Sequence, residues 1–253
     1  MSPPAVCQSF LCASAGGIRY GNRSLAYWVG DSSVLRTQVL IGLVAMTDRA
    51  FAQHPQITPD EYLALERAAD FKSEYFDGRI YQMAGASPEH SAIVFNLYTE
   101  VGVSLRGKPC RGLSNDTKVR SGELITSGKK GLFSYPDLTV ICDEPLFHDE
   151  HRDVLINPKV IFEVLSPSTE VFDRTKKFFR YQTIETFTDY ILIAQDEPRI
   201  EHLIRQPDGG WTLYVYTGLE NSFQIASINS ALSLSGVYDG ISFPEAERPS
   251  QRP

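Results

Sequence analysis

Residues 159–168 read KVIFEVLSPS, and the role given to Glu163 within them decides the fold. Val160, Ile161, Phe162, Val164 and Leu165 make the run apolar enough for a strand covered on both faces. A carboxylate in such a strand is costly unless a partner or a metal compensates it. Alternation sets Ile161 and Leu165 on the face of Glu163, with Phe162 and Val164 on the other. Glu163 therefore reads as either half of a buried ion pair or a group with a chemical task.

The preceding strand, YPDLTVIC at 135–142, is a second continuous apolar run, and it too carries an acid, Asp137. Asp137 follows Pro136, which suits the first residue of a strand; a plain turn aspartate is the simpler account of it alone. Further upstream, TPDE at 58–61 offers Thr58 as N-cap, Pro59 in the first helical position and Glu61 to close a capping box. FKSEYFDGRIYQM holds two strand-like runs around Asp77-Gly78, a hairpin signal. At SPEH, Ser87 and Pro88 start a helix whose apolar stripe is Ile93, Val94, Leu97, Tyr98 and Val101. Downstream, STEVFDRTKKFFRYQ is a third helix and DYILIAQ a strand, and RIEHLIRQ and WTLYVYTG flank PDGG as an antiparallel hairpin. The order predicts an α/β or α+β domain around a mixed sheet.

The 253-residue chain suits one sizeable core. No run reaches the roughly 18 to 20 apolar residues needed to span a bilayer, so no membrane partner and a cytoplasmic location are expected. A net charge of -7 argues against coating nucleic acid by overall field, though a local basic groove remains open. Arg106, Lys108, Arg111, Lys118 and Arg120 could form one; a solvated face is the simpler reading. The four cysteines, Cys7, Cys12, Cys110 and Cys142, lack CxxC spacing and read as reduced, buried fillers. No GxGxxG or GxxxxGK[ST] loop supports a nucleotide cofactor. Residues 1–45 carry Arg19, Arg23 and Arg36 against Asp31 alone, and Met46 follows, so they read as a disordered extension or a mis-called start. Residues 46–245 read as a single domain and 246–253 as a tail.

Two acids converging in a dry site need a cation. Magnesium, or manganese in its place, takes one or two protein carboxylates and fills its shell with water and phosphate oxygens, which suits Asp137 with Glu163. Such a site supports phosphodiester hydrolysis. A lysine nearby would position or deprotonate the attacking water or balance developing charge. Asp173, Lys177 and Tyr181 recur at i, i+4 and i+8 along one helix face, although in isolation Asp173 and Lys177 read as an exposed ion pair.

The stretches TPDEYLALE, KSEYFDGRIYQMAGASPEHSAIVFNL, NDTKVR, YPDLTVIC, EVLSPSTEVFDRTKKFFRY and DYILIAQD, in this order, resemble the Uma-type family of putative restriction endonucleases, in the PD-(D/E)XK nuclease-like superfamily. The resemblance implies a restriction-endonuclease-like fold, with a central mixed sheet flanked by helices and a divalent-metal site at the strand ends. Asp137 and Glu163 match the two acids, and Glu74 is similar to the upstream acid; on its own Glu74 could be a surface residue beside a hairpin. In the superfamily pattern a lysine stands two residues after the second acid, where this chain has Leu165; the family pattern implies Lys177 as the substitute, with Lys176 as the near alternative. His90 also falls on a family-like position, where it could touch a phosphate or orient a carboxylate, or simply bond local backbone. Asp116 and Lys118 are family-like without an assigned role. The implied activity is magnesium-dependent cleavage of DNA, by a possible homodimer, with Glu74, Asp137 and Glu163 on the metal and Lys177 catalytic. The alternatives are a non-cleaving module that binds nucleic acid or a partner protein, and a nuclease that takes its specificity from another chain.

Overall fold

The computed structural model describes residues 56–122 and 130–243. The expectations for residues 1–45 and 246–253 fall outside these described residues. The first helix, α1 (Pro59–Ala68), begins as its sequence dictates: Thr58 accepts from the Glu61 amide and the Glu61 side chain returns to the Thr58 backbone. Such caps contribute about 1 kcal/mol. The hairpin follows as β1 (Ser73–Phe76) and β2 (Arg79–Gln82). Asp77 and Gly78 both take positive φ, 46° and 90°, the turn that Asp-Gly makes most readily.

The second helix, α2 (Pro88–Ser104), is capped by Ser87 and buries Ile93, Val94, Leu97 and Val101. Strands β3 (Arg111–Ser114), β4 (Lys118–Ser121), β5 (Leu132–Ser134), β6 (Leu138–Ile141), β7 (Val154–Leu155) and β8 (Val160–Val164) fill the middle of the chain. A helical segment then runs in three continuous pieces: α3 (Glu170–Phe172), a π-helical stretch (Asp173–Lys177) and α4 (Phe178–Tyr181). It leads into β9 (Asp189–Ile193), β10 (Arg199–Arg205) and β11 (Trp211–Thr217). A two-stranded β12 (Ser222–Ile225) and β13 (Ser230–Ser233) precede the short α5 (Leu234–Val237).

Six strands form the central sheet in the order β11-β10-β9-β8-β6-β3. It is mixed, because β8 and β9 run parallel while β6 and β8 are antiparallel. Every residue of β6, β8 and β9 is buried, as expected of continuous apolar runs. One face carries Phe162 and Val164 in a core shared with Ile93, Leu97 and Val101 of α2. The other carries Ile161 and Leu165, packed with Tyr181, Tyr190 and Leu192. The alternation assigned to KVIFEVLS is therefore observed. So is the hairpin around PDGG, whose register pairs Arg199 with Thr217 and Arg205 with Trp211.

A second sheet, β2-β1-β5-β4-β7, lies outside the sequence expectations. The stretch between Asp143 and Pro158 supplies its β7, pairing Lys118 with Val154 and Val119 with Leu155. The cysteine reading also needs correction: Cys110 and Cys142 form a disulfide. They follow the register of β3 against β6, in which Arg111 faces Ile141, so the next pair outward is Cys110 with Cys142. Antiparallel pairing brings together two residues that no sequence spacing connects.

Candidate active site

Strand β8 holds Glu163 inside the sheet with 5% of its surface exposed. Burial, reinforced by the charges of Asp173, Asp137 and Glu74, pushes its pKa well above the carboxylate range, against the pull of Lys177. The π-helical stretch crosses the same face and buries Asp173 and Lys177 at 2% and 4% exposure. Lys177 Nζ lies 3.0 Å from Glu163 Oε1, 3.3 Å from Glu74 Oε1 and 3.2 Å from Asp173 Oδ1. Burial opposes the ammonium, but these three acids outweigh it and hold the Lys177 pKa well above the ordinary lysine value. At neutral pH this amine is a fixed cation and hydrogen-bond donor. The account of Asp173 and Lys177 as an exposed surface pair is thereby removed. Lys176 is exposed, with its amine 5.9 Å from the centre of the Phe76 ring.

Glu74 arrives on β1 and accepts from the Tyr135 amide at 3.1 Å. Behind it lies a contact set absent from the sequence reading. Glu66, on α1, accepts from the Ser73 amide at 3.0 Å, from the Ser73 hydroxyl and from Tyr135 OH at 2.7 Å. Ser73 precedes Glu74 in the chain and Tyr135 reaches it across space through its amide, so Glu66 holds both of these neighbours of Glu74. Tyr181, one turn beyond Lys177, donates to Glu163 Oε1 at 3.2 Å and shares a 2.8 Å bond with Ser134 Oγ. Charged residues on helices default to solvent, so the Glu66 contacts have no sequence signal, whereas the i, i+4, i+8 spacing sets Tyr181 on the face of Lys177.

Asp137 stands one residue before β6. Continuing the register in which Leu138 faces Phe162 sets it opposite Glu163. Its Oδ2 accepts from the Val164 amide at 2.7 Å, and its Oδ1 lies 3.1 Å from His90 Nε2. Burial lowers the His90 pKa, but bonding to Asp137 outweighs that and raises it. Of the three readings of His90, orientation of a carboxylate matches this contact. Asp137, Glu163, Glu74 and Lys177 are thus gathered at one place, with Asp173, His90 and Tyr181 around them. Asp116 instead pairs with Lys72 at 2.5 Å. Lys118 is buried at 3% exposure, 3.6 Å from Asp153, so it cannot join a solvated basic face with Arg106 and Arg111.

Leu165 is 4% exposed in the core beneath this cluster. The cation that the superfamily pattern supplies from that position reaches Glu163 from the helix instead. Among the described residues, no three Asp, Glu, His or Cys side chains are arranged to ligate one ion by themselves. Magnesium does not require three, since water and phosphate oxygens complete its shell. Two observations fit a divalent cation here. Four acids, Glu74, Asp137, Glu163 and Asp173, face one lysine and one histidine. Asp173 Oδ1 is also buried and makes no hydrogen bond, its contact being the ion pair with Lys177 Nζ at 3.2 Å. The donors are hard oxygens, the set that magnesium and manganese take.

Residues 59–235 match the model of the Uma2 family, described as putative restriction endonuclease. Two uncharacterized Synechocystis proteins are similar to the chain. With slr1290 it shares 32% identity over 76% of the chain and 96% of that protein; with sll1609 it shares 35% over 62% and 85%. The crystal structure of a putative nuclease belonging to DUF820 from Anabaena variabilis superposes with a TM-score of 0.57 at 22% identity. That likeness covers 72% of this chain and 97% of the other, and gives the fold as restriction-endonuclease-like.

Proposed function

From the premise that the chain belongs to the Uma2 family of putative restriction endonucleases, we propose that it is a divalent-metal-dependent endonuclease that hydrolyses DNA phosphodiester bonds. The observation that carries this reading is the Lys177 amine set 3.0 Å from buried Glu163, where the motif leaves Leu165 without a charge. Asp137 and Glu163 would hold magnesium or manganese, with Glu74 completing the set. When bound, the ion lowers the pKa of a coordinated water and offsets charge on the phosphate.

The chain's own residues do the rest. Lys177, kept protonated by its three acids, acts as a donor to the water or to a phosphate oxygen and balances the charge that builds in the transition state. Asp173 anchors Lys177 from one turn back, and His90 and the Val164 amide fix the two oxygens of Asp137. Tyr181 orients Glu163.

DNA as substrate, a cytoplasmic location and a possible homodimer belong to the same proposal. Among the described residues no helix is long and apolar enough to cross a membrane. Leu165 in the lysine position and the net charge of -7 are what would favour the non-cleaving module; with Lys177 3.0 Å from Glu163, only the charge still does. The test is cleavage of DNA by purified protein in magnesium or manganese. We expect nicking or cutting that Asp137→Ala abolishes, and cleavage unchanged in that variant would remove the assignment.

A further inference from the structure

The outward side of α2 has a feature that the phosphodiester chemistry does not use. Phe95 leaves 71% of its surface in water, one turn after Ser91 on the same helix face. Beside it opens a cleft of about 290 Å³, bordered by His90, Ser91, Val94, Phe95, Tyr98 and, from the turn after β3, Asn115. Two of these residues connect the cleft directly to Asp137. His90 bonds its carboxylate, and Tyr98 OH donates to its backbone carbonyl at 2.8 Å. Tyr98 OH also accepts from the Asn115 amide at 3.0 Å, so its hydroxyl is fixed by two backbone partners.

Size and chemistry narrow the occupant. The cleft sits at the lower end of the roughly 300–1,000 Å³ range of ligand pockets, a size that suits one planar group. Its walls offer an exposed aromatic face, a fixed phenol ring and polar edges at Ser91, His90 and Asn115. That combination is how single-stranded nucleic acid is held, since every base has a face to stack and an edge to bond. A base paired inside a duplex has its faces stacked on its neighbours and its Watson–Crick edge engaged, leaving only its groove edges open.

Resting on the nuclease reading above, we propose that this cleft is a stacking subsite for one unpaired nucleobase, seated on Phe95 beside Tyr98 and adjoining the phosphate presented to Asp137. The preferred substrate is then a single strand, a flap or a frayed end, and an intact duplex is a poor one.

The test is binding of a single-stranded oligonucleotide carrying 2-aminopurine, measured by fluorescence with calcium in place of magnesium so that cleavage does not intervene. A fully paired duplex of the same sequence serves as comparison. Phe95→Ala removes only an exposed ring, so its fold is secure, and Phe95→Trp restores a stacking face. The expected result is quenching on binding and preference for the single strand, with affinity reduced roughly ten- to hundredfold in Phe95→Ala and regained in Phe95→Trp. Equal affinity of wild type and Phe95→Ala for the single strand, or no preference over the duplex, overturns the proposal. The two readings separate cleanly. Cleavage in magnesium without dependence on Phe95 rejects the subsite alone. Quenching that depends on Phe95 in a protein that never cleaves supports the subsite and rejects the nuclease.

Discussion

Glu163 and Lys177 each keep a polar head where burial opposes charge, and each makes the other tolerable. Removing one partner of a buried pair costs about 3–5 kcal/mol, because the remaining charge has no compensation. Lys177→Met should therefore lower the melting temperature. In protein that circular dichroism shows to be folded, it should also slow DNA cleavage roughly 10²- to 10³-fold, the loss typical of one preorganised donor. A folded Lys177→Met protein cleaving at the wild-type rate would remove Lys177 from the chemistry. At this scale the sequence was half legible. Glu163 stood out because a carboxylate in an apolar strand needs explaining, and the i, i+4, i+8 spacing pointed to Asp173, Lys177 and Tyr181. Glu66 did not stand out, because an acid in the exposed-looking pattern of α1 carries no sign that Ser73 and Tyr135 will enclose it.

Elements whose boundaries are written locally were readable. The Thr58 capping box, the Asp77-Gly78 turn, the Ser87-Pro88 start and the long apolar runs of β6 and β8 each depend on neighbours in sequence. Strands β5 and β7, of three and two residues, exist only because distant partners pair with them, and local pattern cannot reveal that. The π-helical stretch was likewise unforeseen; π segments are uncommon and recur at functional sites, and this one carries Asp173 and Lys177. Strands β9 and β10 are tied by a buried pair, Asp189 Oδ1 to His202 Nε2 at 2.7 Å. Burial would raise the Asp189 pKa, but bonding to His202 and Thr188 holds it below the ordinary carboxylate value. A depressed folded pKa contributes stability that is full above the unfolded value, about 4, and is lost as pH falls through the folded value. Asp189→Asn should thus cost about 1–3 kcal/mol at neutral pH. In thermal melts the gap to wild type should close in acid, whereas a gap independent of pH would show that the charge of Asp189 does not contribute.

On the scale of the whole molecule, the candidate site draws on both large sheets. Glu74 comes from the five-stranded sheet, Asp137 and Glu163 from neighbouring strands of the six-stranded one, and Lys177 from the helical segment that follows β8. No single stretch of sequence contains the site. The ordered family motifs made it legible by naming positions that only the fold brings together. Long-range pairing also explains the error over Cys110 and Cys142, which become neighbours only through the β3–β6 register.

The central claim is that the acid in KVIFEVLSPS is half of a metal site. It is tested most directly by titrating the protein with manganese, following binding by calorimetry, in wild type and in Glu163→Gln. The account predicts saturable binding at millimolar affinity or tighter in wild type, and its loss in a Glu163→Gln protein that keeps its fold. Binding of equal strength in both proteins, or none in either, would contradict it.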